Sequence, residues 1–225
     1  MASTSSSAVA FVAGLMFATL GAAAEPPNAE GLVEVRVRGL QQFLELPGAD
    51  LARYRNILLD PVEVAFDRRW EPKVNGREIS VEERTRIRAD IARALQKEFT
   101  SELGQGGYQV VTEPGPDVLR LRVEVRDLYL NAPDVQTSSR SMTYARSAGK
   151  MKLAAEMRDS ASGALIARAV DVYEDPETAY FEWTTSIDNN EAARDAAEKW
   201  ARALRSQLDK ARTAKPAQGL ESTRK

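Results

Sequence analysis

The sequence predicts an α+β two-layer sandwich, in which a mixed, mostly antiparallel sheet carries two helices on one face. Three observations predict it. Ile87, Ile91, Leu95, Phe99 and Leu103 recur at every fourth position, and Ala193, Ala197, Trp200, Leu204 and Leu208 form a second stripe of helical period. Between them, two stretches alternate strictly between apolar and charged side chains. A period near 3.6 marks an amphipathic helix and a period of two a half-buried strand, and helices segregated to one face of such a sheet define the class.

Taken in order, Val33, Val35 and Val37 alternate with Glu34, Arg36 and Arg38, which predicts a short strand or extended arm within residues 25–45. Leu46-Pro47-Gly48-Ala49-Asp50-Leu51 reads as a turn that leads into a short helical piece through Tyr54. From Ile57 to Phe66 the chain is β-prone, with Val62, Val64 and Phe66 on one face. Pro61 has no amide donor, so a bulge or a fresh strand start is expected there.

Ser80 and Glu83 form a capping box at the head of the first helix, and Gly104, Gly106 and Gly107 end it because glycine tolerates the left-handed backbone of a helix stop. A strand over Tyr108–Thr112 and a turn over 113–117 follow. Then Leu119, Leu121, Val123 and Val125 point inward, against Arg120, Arg122, Glu124 and Arg126 outward. Met151, Leu153, Ala155 and Met157 repeat the pattern, with Lys150, Lys152, Glu156 and Arg158 outward. After the turn Asp159–Gly163, residues 164–173 pair back as a meander. The last helix is expected to be capped near Asp188, with Glu191 three residues on, and to stop before Pro216. One domain over 46–212 follows, with a disordered tail over 213–225. The strand-helix-strand order at its start favours a parallel crossover.

Residues 1–24 carry no charged side chain, and Ala8 to Leu20 is almost wholly apolar. This reads as a secretory signal peptide, with Ala22 and Ala24 as the small residues before a cleavage at Glu25. The apolar run is shorter than the roughly 20 residues of a spanning helix. An exported, periplasmic protein is therefore expected, with no transmembrane segment in its mature form.

Composition narrows the chemistry. The 225 residues include 31 basic and 33 acidic side chains, a net charge of −2, and neither histidine nor cysteine. The usual neutral-pH base, the thiolate nucleophile, Cys/His zinc sites and a lipid-acceptor cysteine are all removed. The near balance of charge argues against bulk affinity for nucleic acid. No cofactor is expected.

The run Leu46 to Leu51, followed by Tyr54 and Leu59-Asp60-Pro61-Val62-Glu63-Val64, resembles the opening of a bacterial family, domain of unknown function 3313. The helix, the Pro-Gly-Pro turn and the long hairpin occur in matching order over roughly residues 40–210. What the resemblance implies is an exported envelope protein of Gram-negative bacteria, of a family often described as lipoproteins, with no catalytic residues to carry over. The missing lipid-acceptor cysteine departs from that pattern and favours a form free of a lipid anchor.

Short motifs for enzymes find bland explanations. Ser147-Ala148-Gly149-Lys150 has Ser-x-x-Lys spacing, but it precedes a strand and lacks the companion motifs. Gly104-Gln105-Gly106-Gly107 follows a helix, whereas a phosphate-cradling loop precedes one. Asp171, Glu174, Asp175 and Glu177 match no calcium loop and read as solvated charge.

Two constellations stand out. If the strand at Leu119 lies beside that at Met151, Arg120, Arg122, Arg126, Lys150, Lys152 and Arg158 share one surface, a candidate anion-binding face unless opposite charges pair across it. That surface has no aromatics to stack nucleobases. Tyr180, Phe181 and Trp183 form a candidate partner-docking loop or cap the core, and Trp70 fits either role. The expected function is a non-catalytic envelope interaction module whose partner is an envelope protein or an anionic lipid surface. The alternative is a carboxylate-dependent periplasmic hydrolase, which needs two carboxyl groups converging in a cleft.

Overall fold

One long strand organises the sheet. The computed structural model describes residues 30–71, 73–74, 77–130, 144–145, 149–174, 182–183 and 186–214. Its elements are β1 (Val33–Glu34), β2 (Gln42–Glu45), a 3-10 turn at Leu51–Arg53, β3 (Asn56–Leu59), β4 (Glu63–Phe66), β5 (Lys73–Val74), β6 (Arg77–Glu78), α1 (Val81–Gln105), β7 (Gln109–Val110), β8 (Val118–Leu130), β9 (Tyr144–Ala145), β10 (Gly149–Asp159), β11 (Leu165–Glu174), β12 (Glu182–Trp183) and α2 (Ser186–Ala214). The main sheet runs β1-β2-β11-β10-β8-β3-β7, with β4 also beside β8. β5 pairs with β6, and β9 with β12, as separate two-stranded ribbons.

β8 pairs antiparallel with β10 along one edge and parallel with β3 and then β4 along the other. β3 and β4 are thus two halves of one line, broken at Asp60–Val62. The expected interruption at Pro61 has a visible use. The Asp60 amide still donates to Leu121 O (3.0 Å), whereas the Val62 amide turns away and donates to Gln96 Oε1 of α1 (2.9 Å). β3, α1 and β7 form the expected parallel crossover, and β8, β10 and β11 the expected antiparallel meander. The α+β class holds.

Both helical stripes are buried in a single apolar cluster with the inward residues of β8 and β10. Each fully buried Leu, Ile or Phe of this layer contributes on the order of 2 kcal/mol. β11 turns the small side chains Ala167 and Ala169 toward the helices, followed on the same phase by Asp171 and by Tyr173, which meets Trp200 edge-on at 6.4 Å. α2 answers the alanines with Ala193, Ala196, Ala197 and Ala201, all buried. Small faces let helix and sheet approach closely, and Trp200, fully buried, fills the space beside them.

α1 begins as its sequence demands, with Ser80 Oγ accepting from the Glu83 amide (3.1 Å). It ends in a Schellman motif: the Tyr108 amide reaches Leu103 O and the Gly107 amide Gly104 O, with Gly107 at φ +77°. Two arginines of α2 satisfy further carbonyls, Arg205 that of Glu102 (3.1 Å) and Arg212 that of Gly106 (2.9 Å). Arg205 Nη1 also lies 3.0 Å from Oε1 of the buried Glu102, which locks the two helices together. α2 itself starts at Ser186 and not at a cap on Asp188. Asp188 is the third residue of the helix.

The alternation of β8 changes phase at a bulge. Arg126 is opposite Lys152 and Tyr129 opposite Lys150, so β8 spends one residue more than β10 over this step. Asp127, at φ +51°, absorbs it, and the inward set passes from odd positions to Leu128 and Leu130. Gly149 sits against the same kink at φ +144°, where a Cβ would come within 2.0 Å of Tyr129 O. Trp70, left open between two roles by the sequence, belongs to the core. It is buried, stacks on Phe66 at 4.1 Å and donates from Nε1 to Leu130 O (2.8 Å).

Two carboxylates hold the periphery. Asp171, on β11, is buried and correction is needed to its reading as solvated charge: Oδ1 accepts from the Gln41 amide (2.9 Å), and Oδ2 from Trp200 Nε1 (2.7 Å) and Lys199 Nζ (2.6 Å). Its place on the inward phase of β11 is the physical reason. Glu174 of that cluster is exposed, and Asp175 and Glu177 lie outside the described residues. Asp159 closes the β10–β11 turn, accepting from the Ser162 hydroxyl (2.6 Å) and amide (2.7 Å), Tyr54 Oη (3.0 Å) and the Arg53 guanidinium. The Ser162 bonds foremost, then those of Tyr54 and Arg53, hold its carboxyl far below the usual carboxylate range.

Asp171→Ala strands the buried indole N–H and is expected to cost about 3 kcal/mol in urea unfolding, with faster amide exchange in β1 and β2 as its local signature. Gly149→Ala should cost about 3 kcal/mol by the same measurement, because backbone and space both exclude a Cβ. A depressed folded pKa at Asp159 gives stabilisation that is complete above the unfolded value of about 4 and is lost as pH falls below it. Acid titration of the melting temperature should therefore flatten below pH 4 in Asp159→Asn relative to the parent chain.

Candidate binding face

The helices cover one side of the sheet, so the outward residues of β8, β10 and β11 form its opposite face. The register places the sequence-predicted cations together in rows: Arg158 is opposite Arg120, Glu156 opposite Arg122, and Lys152 opposite Arg126. Like charges directly opposite one another repel. Each is answered from the side. Arg120 Nε donates to Asp60 (2.9 and 3.0 Å), Arg158 Nε to Glu156 (3.0 Å), Arg126 Nε to Glu124 (2.8 Å), and Lys152 Nζ lies 2.7 Å from Asp127 Oδ2. Arg122 is shared between Glu63 (3.2 Å) and Glu124 (3.0 Å). Lys150 has no ion pair among the described residues.

The charges thus interleave into a lattice instead of a uniformly basic patch. Arg168 of β11 extends it, with Nη2 on Glu156 Oε1 (2.8 Å) and Nη1 on Glu30 Oε2 (2.6 Å). Burial pushes the Glu156 carboxyl up, but hydrogen bonds from Arg168 and Arg158 outweigh it and leave the group below its ordinary value. Exposed ion pairs of this kind are worth roughly 0–1 kcal/mol each. An incoming acidic or basic group can therefore exchange with a resident partner at small cost.

Two open grooves lie on this face. One, of about 610 Å³, is lined by Asp60, Glu63, Arg120, Arg122, Glu156 and Arg158 among others. The second, of about 470 Å³, lies at the bulged end and includes Arg68, Lys150, Met151, Lys152 and Val172. Asp60, Glu63, Asp127, Arg168 and Arg68 are the members that sequence reasoning missed. Asp60 and Glu63 had a usable signal, since they flank Pro61 in a strand whose apolar residues face the other way.

Of the aromatic loop, Tyr180 and Phe181 lie outside the described residues. Trp183 is in β12, opposite Tyr144. Ser147 also lies outside, as do Ala22, Ala24 and Glu25. Lys150 opens β10 between Tyr129 and Glu174. The buried carboxylates Glu102, Asp159 and Asp171 occupy three separate places, each against cationic or amide donors. No three carboxylates converge on a cation site among the described residues, and no described helix is long and apolar enough to cross a membrane.

No curated protein matches the chain in sequence. Among solved structures it is similar to the PelC dodecamer of Paraburkholderia phytofirmans, at 11% identity and a TM-score of 0.37 over 72% of this chain and 96% of that one. It is similar also to protein XCC0632 of Xanthomonas campestris, at 12% identity and a TM-score of 0.40 over 70% and 88%. A DUF4136 family protein of Bacteroides thetaiotaomicron matches at 11% identity and a TM-score of 0.36 over 78% and 97%. Likenesses this distant bear on no point of function. The sequence model of one family, described as a protein of unknown function (DUF3313), spans residues 30–204, from just ahead of β1 to well within α2, and the chain belongs to that family.

Proposed function

We propose that this protein is an exported, non-catalytic interaction module of the bacterial cell envelope, and that the outer sheet face is the surface it presents to an envelope component. The observation that carries this reading is the contrast between the two sets of charges. The buried carboxylates are consumed in holding elements together, whereas the outer-face charges are exposed, ordered in rows and only weakly committed to one another. General acid-base hydrolysis needs a pair of carboxyl groups within reach of one substrate. Every carboxylate lining the two grooves except Glu174 is already engaged by a cation, Asp60, Glu63, Glu156, Asp159 and Asp67 by arginines and Asp127 by Lys152. The uncharged, apolar leader supports export, with a mature chain that starts at Glu25.

A photo-crosslinking residue at Ala154 or Arg122, in cells, is expected to yield adducts with an envelope component. The same residue at the exposed Arg88 of α1 is expected to yield none. Adducts confined to Arg88, or an intact mass for the mature protein that retains Met1, would contradict the reading.

A further inference from the structure

We infer that the groove at the bulged end of the outer face holds the head group of one aminophospholipid, with an acyl chain laid along an apolar lane on the same face. This rests on the outer face being the working surface and names what it takes.

The charges of the groove support the assignment. Asp67 is occupied by Arg69, at 2.8 Å from its amide and 3.2 Å from Nη2, and Asp127 by Lys152 at 2.7 Å. Arg68 and Lys150 remain, two cations without an ion pair at contact distance among the described residues, Lys150 acting on Asp67 only from farther off, together with Glu174, a carboxylate without an ion pair among the described residues. Lys150 and Glu174 are direct neighbours across β10 and β11, yet no ion pair joins them. A phosphate offers oxygens to two cations at once, and an ammonium four bonds from the phosphorus answers one carboxylate. That is the charge complement of a phosphoethanolamine group.

The rest of the face supplies what a lipid requires beyond its head group. Val172 lines the groove and is 39% exposed, one of the few large apolar side chains so exposed among the described residues. Val170, Ala154 and Leu44, half-buried, lie on the same outward face: Val170 is opposite Ala154 on one side and Gln42 on the other, and Leu44, opposite Arg168, is its diagonal neighbour. On strand spacings this lane is about 14 Å long, enough for the upper part of an acyl chain. The bulge fixes the geometry: Asp127 in its left-handed conformation keeps Lys152 engaged and leaves Lys150 directed at the groove.

The test is calorimetric titration of the mature chain with dihexanoyl phosphatidylethanolamine below its micelle concentration, beside dihexanoyl phosphatidylglycerol and inorganic phosphate. Saturable binding of the ethanolamine lipid is expected, at least tenfold tighter than phosphate alone. Arg68→Glu with Lys150→Glu should weaken it tenfold or more, and Val172→Asp should weaken the lipid without changing phosphate. Glu174→Gln should erase the preference for ethanolamine over glycerol. All are surface changes, and an Arg88→Glu variant controls for charge alone. Absence of saturable binding, phosphate binding as tight as lipid, or indifference to these substitutions overturns the inference. If the crosslinks at Ala154 persist while lipid binding is absent, the groove assignment alone fails; if both are absent, the outer face is not the working surface.

Discussion

A carboxylate with almost no water around it ties three separate parts of this molecule to one point. Asp171 stands on β11 and accepts at once from the backbone ahead of β2, from the indole of α2 and from the lysine preceding it. The small side chains of β11 and α2 permit the close approach that brings Trp200 within reach. A larger residue at Ala167 or Ala169 would hold the helix away and leave the carboxylate without its donors. The alanine-rich packing and the buried charge therefore depend on one another.

The periodic parts of the fold were legible in the sequence for a simple reason. Both helical stripes and the alternating runs of β8 and β10 repeat often enough for burial to set the pattern, and the capping box and glycine stop of α1 are local chemistry. β2 was not legible, since Gln42-Phe43-Leu44-Glu45 is short and finds its role only by pairing with β11. The phase change in β8 hid for the opposite reason. A bulge at Asp127 is visible only once Lys150 and Lys152 are known to face Tyr129 and Arg126.

The outer face was legible as to membership and not as to partnership. Alternation alone put Arg120, Arg122, Arg126, Lys150, Lys152 and Arg158 on one surface. Glu124 and Glu156 answer Arg126 and Arg158 from two residues away on the same strands, and Asp127 answers Lys152 from the bulge. Asp60 and Glu63, which answer Arg120 and Arg122, arrive instead through parallel pairing over about sixty residues of separation that no local pattern encodes. Asp171 shows the same limit in reverse: read with its acidic neighbours it looks like surface charge, and only the inward phase of β11 reveals it as core.

The departure of Val62 from the strand ladder has a mechanical consequence. Because its amide is satisfied by Gln96 on the helix, the helical layer cannot slide along the sheet without orphaning a partly buried donor. The two layers are keyed to one another by a directional bond as well as by apolar contact. A load on the chain would then be relieved at the rim first, where β1 and β2 hold by a few ladder bonds, while the keyed layers stay in register behind them.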